Sequence, residues 1–291
     1  MLKIRTCSDL HLEHFYDTFD TPSSAASRKL EEILPPLPAD AETVLVAAGD
    51  IATAKRSQRF DSFFQLAGPR FRHIILVLGN HEHYGSRMED TQFTIEAAAE
   101  RAFGDNCEDK VTIAGNEPVK VEIDGVTFVC GTLWTDYGRK AAGGVHERLS
   151  RIHLDVAKCI TDHRVIIAED GKGVTPTQLT QIHDATLKQF GQWMANADNS
   201  RTVVVTHHMP SFQAVHPMYR SDPLTSVLNH AFTSDLDDFI LEYQPVLWIF
   251  GHTHTDYNGK IGETELWCNP LGYPHERKSN RPYDTTRVFE V

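Results

Sequence analysis

Five short runs of apolar residues in this chain are each followed at once by a side chain that can bind a metal ion. The clearest run is Val44 to Ala48, which is followed by Gly49 and Asp50. An apolar run of this length is typical of a strand that is covered on both faces, and a glycine permits a sharp turn at its end. Open α/β sheets bind ligands at the carboxyl ends of their strands, so the pattern predicts an α/β fold with a site at one sheet edge.

The residues that follow the five runs share one chemistry, since each carries a carboxylate, an imidazole or an amide. They are Asp9 and His11, then Asp50, then Asn80 and His81, then His207, and finally His252 and His254. Such oxygen and nitrogen ligands suit divalent Mn, Fe, Co or Zn. A single Gly-Asp after a strand is more often an ordinary turn, and His208 is an alternative to His207 as the ligand. Five such arrangements in order favour a metal site over coincidence.

Composition limits the remaining classes of protein. The 291 residues contain no Pro/Gly/Ser-rich linker, which predicts one domain over 1–291 with a partly helical surface insertion at about 138–200. The formal net charge of −12 argues against binding to long nucleic acid, which needs basic surface. The first residues resemble a strand rather than a signal peptide, and no apolar run is long enough for a membrane helix. We therefore expect a cytoplasmic protein.

These motifs resemble those of the calcineurin-like metallophosphoesterase superfamily, whose pattern is D-x-H, G-D, G-N-H-[DE], H and G-H-x-H in that order. The corresponding segments are Asp9-Leu10-His11, Gly49-Asp50, Gly79-Asn80-His81-Glu82, Thr206-His207 and Gly251-His252-Thr253-His254. The chain is most similar to a bacterial branch of predicted phosphohydrolases with a Leu-Trp-Thr-Asp loop, here 133–136, and an Asn-Pro-x-Gly-Tyr-Pro turn, here 269–274.

The resemblance implies a four-layer α-β-β-α sandwich of two mixed β-sheets and a centre for two divalent ions, with Mn, Fe, Zn or Co as candidates. It implies that Asp9, His11, Asp50 and His254 hold one ion, and that Asp50, Asn80, His207 and His252 hold the other. Two such ions share a hydroxide that attacks phosphorus in line. His81 then assists the reaction at the phosphoryl oxygen or leaving group, with Glu82 orienting it.

The sequence departs from the family pattern at one position. Many members carry a second carboxylate shortly after the G-D motif, whereas Gly49-Asp50 is followed here by Ile51-Ala52-Thr53. The metal ligands are all present, but a carboxylate that supports the site is missing or replaced.

The expected substrate is a small-molecule or nucleotide phosphodiester or monoester. Trp134, Asp136, Tyr137, His208 and Tyr219 are candidate substrate contacts, although a packed aromatic loop explains the first three equally well. The alternatives are a nuclease acting on DNA or RNA, which the acidic balance disfavours, and a catalytically silent metal-binding scaffold. The sequence makes no prediction of the oligomeric state.

Overall fold

The computed structural model describes residues 1–143, 146–220, 227–276 and 283–291. Within these ranges the strands are β1 (Lys3–Cys7), β2 (Thr43–Ala48), β3 (His73–Val77), β4 (Val111–Ala114), β5 (Val119–Ile123), β6 (Val126–Gly131), β7 (Thr202–Thr206), β8 (Leu247–Phe250), β9 (Tyr257–Ile261), β10 (Thr264–Cys268) and β11 (Val288–Glu290).

The α-helices of the same ranges are α1 (Ser24–Ile33), α2 (Gln58–Ala67), α3 (Met88–Phe103), α4 (Cys107–Lys110), α5 (Arg139–Ala142), α6 (His146–Cys159), α7 (Asp162–Val165), α8 (Pro176–Met194), α9 (Pro217–Arg220) and α10 (Asp237–Tyr243). The 3-10 segments are Leu12–Phe19, Asp40–Glu42, Ala54–Arg56, His81–His83, Gly104–Asn106, Asn199–Arg201, Phe212–Ala214 and Asn229–Ala231. None of the helices among the described residues has both the length and the apolar character needed to span a bilayer.

The strands form two mixed sheets. In the described residues the first has the order β11-β1-β2-β3-β4, and the second has the order β5-β6-β7-β8-β10-β9. Strands β1 to β4 are parallel, as are β6, β7, β8 and β10, whereas β5, β9 and β11 pair antiparallel to their neighbours. The Asp124-Gly125 turn between β5 and β6 has positive φ at both residues, which is the two-residue turn that favours a hairpin.

The alternation of side chains along β2 shows why its sequence is apolar throughout. Val44, Val46 and Ala48 pack against the second sheet, and Leu45 and Ala47 pack against the outer helices α1, α2 and α3. Full burial of a branched aliphatic side chain contributes about 1.5–3 kcal/mol, so neither face tolerates a polar residue. The run is apolar because the second sheet covers one face of the strand and the helices cover the other.

The second sheet has its own outer layer. Its face away from the first sheet packs against α8 through Phe190 and Met194 and against α10 through Ile240. Thr175 caps α8 together with Gln178 in a reciprocal pair of hydrogen bonds, and Pro176 occupies the first turn. The layers are therefore helix, sheet, sheet and helix, which confirms the predicted α-β-β-α sandwich.

The segment at about 138–200 that we expected as an insertion contains α5, α6, α7 and α8, and α8 packs on the second sheet. Residues 144 and 145 of this segment lie outside the described residues. A separate apolar cluster is centred on Trp134 and Tyr137 and includes Val156 and Ile166 from this segment. The division of the chain into one domain with an insertion stays a prediction.

Parallel pairing brings the carboxyl ends of the central strands to one edge, where the two sheets also contact each other. The backbone N–H of His252, after β8, donates to the carboxylate of Asp9, after β1, at 3.0 Å. His207, after β7, reaches the backbone oxygen of Ala48 at the end of β2, with Nδ1 at 2.9 Å. Both contacts join the two sheets, so the site lies across them.

Candidate metal centre

The loops that follow the strands hold an unusual backbone conformation. Asp9, His11, Asp50, His252 and His254 all have positive φ, between 47° and 68°. This left-handed region is uncommon for residues other than glycine and costs free energy that the surrounding structure must offset. Such residues concentrate at functional sites, and five of the seven expected ligands are among them.

The first group of potential ligands contains Asp9, His11, Asp50 and His254. Each offers one ligand atom, and these atoms all lie within 4.8 Å of one another. The Nε2 atoms of His11 and His254 are 3.0 Å apart, and the latter is 3.4 Å from Asp9 Oδ1. Four donor atoms of this kind, largely shielded from solvent, match the chemistry of a divalent transition-metal site.

The second group contains Asp50, His207 and His252, and it meets the same distance criterion. His207 Nε2 lies 3.4 Å from Asp50 Oδ1 and 3.1 Å from His252 Nδ1. Asn80 Oδ1 is also 3.1 Å from His207 Nε2, so an amide oxygen joins this group. Asp50 belongs to both groups, and its two oxygens face different histidines.

Three of the histidines direct their other ring nitrogen, Nδ1, to an oxygen outside the centre. These contacts are His11 to Glu13 at 3.1 Å, His254 to Glu276 at 2.7 Å and His207 to the backbone oxygen of Ala48 at 2.9 Å. Contacts of this kind fix the tautomer and turn the lone pair of Nε2 inward. The residues present therefore fit divalent ions in their donor types, in their orientation and in their burial.

Asn80 is oriented by Asp162, a residue that no sequence motif singles out. Its Nδ2 donates to Asp162 Oδ1 at 2.9 Å, and the hydroxyl of Tyr84 donates to the same oxygen at 2.6 Å. This arrangement turns Oδ1 of Asn80 toward His207. Asp162 begins α7, 82 residues after Asn80, so no local pattern connects the two.

Replacement of Asp162 by alanine is expected to weaken metal binding at the Asn80 and His207 side by about 10–100-fold, because the Asn80 amide loses the acceptor that fixes it. Isothermal titration calorimetry with Mn²⁺ measures this change. Asp162→Asn retains an acceptor oxygen and should lose less affinity. Unchanged affinity in the alanine variant would show that Asn80 does not depend on Asp162.

His81 lies at the edge of the centre with both ring nitrogens engaged. Its Nδ1 is 3.0 Å from Glu13 Oε1, its Nε2 is 3.0 Å from the hydroxyl of Tyr273, and its ring stacks on Tyr84 at 4.1 Å between centroids. Burial lowers the pKa of His81, but Asp50 and Glu13 outweigh burial and raise it above its ordinary value. The ring is thus held in place, with Nε2 directed at the hydroxyl of Tyr273.

Glu82 has a different place from the one we expected. Its carboxylate accepts three backbone N–H groups, those of Asp50 at 3.0 Å, Ile51 at 2.7 Å and Gly79 at 2.7 Å. The carboxylate that contacts His81 is Glu13. The expected Glu82–His81 contact is therefore corrected: Glu82 fixes the two loops that carry Asp50 and Asn80, because its side chain points into the protein from the 3-10 segment.

The charges of the centre depend on one another. Burial opposes ionisation of Asp50, but His207, His81 and His11 hold its pKa well below the usual range. Burial also opposes protonation of His207 and His254, but the facing carboxylates raise the pKa of His207 to about 9 and that of His254 to about 10. Without a metal, protons on these imidazoles offset the negative charge of the aspartates.

Metal binding is therefore expected to release protons, since a ligating imidazole must be neutral. Affinity should rise from neutral pH toward the His207 and His254 pKa values of about 9 and about 10. The expected slope is about tenfold per pH unit for each proton released. Calorimetric titration in two buffers of different ionisation enthalpy measures the number of protons. Affinity independent of pH over this range would contradict the proposed protonation of the metal-free centre.

A cavity of about 430 Å³ opens beside the centre. Asp50, Asn80, His81 and His252 are among the residues that line it. Its wall continues over apolar side chains, namely Ile160, Met209, Val215, Leu228 and Phe232. An apolar wall combined with a few polar groups is typical of a small-molecule site.

The candidate substrate contacts separate into two sets. Tyr219 lines the cavity and is 39% exposed. Trp134 and Tyr137 are buried in their own apolar cluster, and Asp136 uses its carboxylate to accept the backbone N–H groups two and four residues further on. His208 is buried behind His252, with ring centroids 4.3 Å apart, and its Nδ1 is 3.2 Å from the backbone oxygen of Thr132. Tyr273 also lines the cavity, although it was not among the candidate substrate contacts.

The combination of this fold with this set of ligands defines a metal-dependent phosphoesterase. The chain itself belongs to the calcineurin-like phosphoesterase family, whose model matches residues 2–256. This match covers every expected ligand and confirms the family that the motifs resemble. Divalent metal ions are therefore implied for this chain.

The chain is similar to two proteins over nearly its whole length. An uncharacterized protein of Acanthamoeba polyphaga mimivirus is 28% identical over 293 residues, which cover 96% of this chain and 94% of the viral protein. The crystal structure of phosphopantetheinyl hydrolase from Mycobacterium tuberculosis superposes with a TM-score of 0.63 at 20% identity, covering 99% of this chain and 95% of that one. At this identity the second likeness shows the fold.

Proposed function

We propose that this phosphoesterase uses two divalent metal ions to hydrolyse a small organic phosphate ester. The observation that supports two ions is the position of Asp50, which belongs to both groups of potential ligands. Separate carboxylate oxygens of Asp50 face His11 and His207, at 3.8 Å and 3.4 Å. A shared carboxylate is the arrangement that holds two ions close enough to act on one phosphate.

When bound, two such ions stabilise negative charge on the phosphoryl oxygens and make water a stronger acid at neutral pH. Hydrolysis forms one bond from a water oxygen to phosphorus and breaks the bond from phosphorus to the ester oxygen. The water loses a proton, and the leaving oxygen gains one. His81 is placed to supply the proton that the leaving oxygen gains, because its Nε2 lies on the cavity side while Glu13 holds Nδ1.

The shape of the cavity favours a substrate with an organic group of moderate size. Its volume of about 430 Å³ falls within the range of small-molecule sites. The apolar residues Met209, Val215 and Phe232 offer contacts to a carbon chain or ring beyond the phosphate. We therefore include nucleotides and phosphopantetheinyl compounds among the test substrates, the latter because a protein of the same fold is named for that activity.

The test is hydrolysis of bis-p-nitrophenyl phosphate and p-nitrophenyl phosphate by protein loaded with Mn²⁺, Fe²⁺, Zn²⁺ or Co²⁺. We expect metal-dependent release of nitrophenol, with the preferred ester distinguishing diesterase from monoesterase activity. Bound metal without turnover on these esters or on the organic panel would support the silent-scaffold alternative. Cleavage of oligonucleotides but not of small esters would support the nuclease alternative, which the net charge of −12 disfavours.

A further inference from the structure

Glu13 is the carboxylate that supports His81, and neither the motif pattern nor the family match assigns it a role. We propose that Glu13 is a positioning residue for the reaction: it orients His81 toward the leaving group and holds the metal ligand His11 with the same oxygen. This proposal rests on the proposed function, since it concerns how His81 acts in that reaction.

The geometry of one oxygen atom carries the argument. Oε1 of Glu13 lies 3.0 Å from Nδ1 of His81 and 3.1 Å from Nδ1 of His11. Each ring can donate its Nδ1 proton to this oxygen, because a carboxylate oxygen accepts more than one hydrogen bond. The two rings contact edge to face, with centroids 4.4 Å apart. Glu13 therefore fixes the relative position of a metal ligand and the residue expected to protonate the leaving group.

The other face of His81 shows what this fixation achieves. With Nδ1 donating to Glu13, Nε2 is the nitrogen left for the cavity side, where the hydroxyl of Tyr273 lies 3.0 Å away. Stacking on Tyr84 prevents the ring from tilting. A 180° flip of the ring would place Cδ2 where Nδ1 now lies and leave the Glu13 oxygen without its His81 donor. Orientation of His81 thus depends on the presence of an acceptor at position 13.

Burial of Glu13 makes its carboxylate depend strongly on the contacts with the two histidines. The side chain of Glu13 is 13% exposed, and its second oxygen, Oε2, is buried without a hydrogen-bond partner among the described residues. A buried carboxylate with few polar contacts depends heavily on those it has. Among the described residues, its hydrogen bonds are to the two histidine rings, so the carboxylate belongs to the site rather than to the surface.

The position of Glu13 also accounts for the departure from the family pattern. No carboxylate follows Gly49-Asp50 in the segment Ile51-Ala52-Thr53, and Glu82 is occupied by backbone amides. Glu13 comes instead from the first loop, two residues after His11, whose left-handed conformation leads into the 3-10 segment Leu12–Phe19. A carboxylate from a different loop thus serves His81.

The test compares Glu13→Gln, Glu13→Asp, His81→Asn and the double variant Glu13→Gln/His81→Asn in the metal-loaded protein. Metal content is measured by mass spectrometry, and kcat is measured on methyl aryl phosphodiesters whose leaving phenols carry nitro, chloro or no substituent. We expect Glu13→Gln to lower kcat by about 10–100-fold, the usual range for loss of such a supporting contact. The loss should grow as the phenol becomes a poorer leaving group, and Glu13→Asp should restore part of kcat.

Two further readouts separate positioning from a structural effect. In the His81→Asn background the Glu13→Gln change should lower kcat little further, because the ring that it orients is gone. In ¹⁵N-histidine spectra of the metal-free protein, the Nδ1 proton signal assigned by its loss in His81→Asn should also be lost or shifted in Glu13→Gln. The second measurement needs no turnover.

Glu276→Gln is the matched control, because Glu276 contacts Nδ1 of the ligand His254 as Glu13 contacts that of His11, and it makes no hydrogen bond to His81 in the described contacts. Glu276→Gln should weaken metal binding, but it should not make kcat depend more steeply on the leaving phenol. The proposal would be overturned if Glu13→Gln lowered kcat equally in the wild-type and His81→Asn backgrounds. It would also be overturned if lower metal content explained the whole loss of kcat. Inactive wild-type protein would instead contradict the proposed function, while the spectra would still test the contact.

Discussion

Replacement of Asp50 by asparagine is expected to abolish stoichiometric binding of two metal ions and, with it, hydrolysis of phosphate esters. Asp50 is buried, belongs to both ligand groups, and offers one oxygen to each. The amide of asparagine has one oxygen and no charge, so it can act as a ligand in only one of the two groups. We expect affinity to fall by more than about 100-fold, the upper end for loss of a contact that supports a ligand. Mass spectrometry of the intact protein counts the ions.

The control for this variant is the same substitution at Asp238, an exposed residue that pairs with Lys140. Asp238→Asn should leave metal content and turnover unchanged. Thermal unfolding in the presence of a chelator checks that Asp50→Asn is folded, since the comparison then involves no metal. Two bound ions and undiminished kcat in Asp50→Asn would refute the assignment of Asp50 as the shared ligand.

The second large effect is expected from His81→Ala, which should retain both metal ions and lose about 10²–10⁴-fold in kcat, the range that general acid–base groups contribute. The nitrogens of His81 contact Glu13 and Tyr273, and His81 is not a member of either ligand group. Loss of its ring therefore removes a proton donor without removing a ligand. Steady-state kinetics on an aryl diester, alongside the metal count, measures both consequences.

Added imidazole provides a check on this interpretation, because it can enter the space left by the ring and restore part of the lost rate. A nitrophenyl ester should suffer less than a phenyl ester, since a better leaving group needs less protonation. If the variant instead loses its ions, His81 acts on the metal centre and the division of roles is mistaken.

Much of the scaffold could be predicted because a strand that is buried on both faces has a continuous run of apolar residues. The runs at β2 and β3 are apolar without alternation, since one face meets the helices and the other meets the second sheet. Strand β4 was not predicted: it has four residues, of which Thr112 and Ile113 are only partly buried, and it follows α4 at once.

The groups that support the ligands could not be predicted, because they come from distant parts of the chain. Asp162 contacts Asn80 across 82 residues, and Glu13 contacts His81 across 68. Tyr273 reaches His81 across 192 residues. The family resemblance suggested Glu82 as the partner of His81. Adjacent side chains in a 3-10 turn point in different directions, however, and Glu82 turns inward to backbone amides.

The aromatic loop at 133–137 shows the same limit. Polar and aromatic residues after a strand suggest a substrate pocket, yet Trp134 and Tyr137 fill an apolar cluster with residues such as Val156 and Ile166. The cavity is lined instead by residues such as Met209, Val215 and Phe232, which carry no signal of their own.

The sequence by itself determined the order of buried strands, the ligand types at their ends and the family, because each depends on short segments whose burial or chemistry is written locally. The tertiary structure alone decided which oxygen or nitrogen each ligand turns inward. That choice depends on hydrogen bonds between loops far apart in the chain, and these exist only once both sheets have brought their strand ends to one edge.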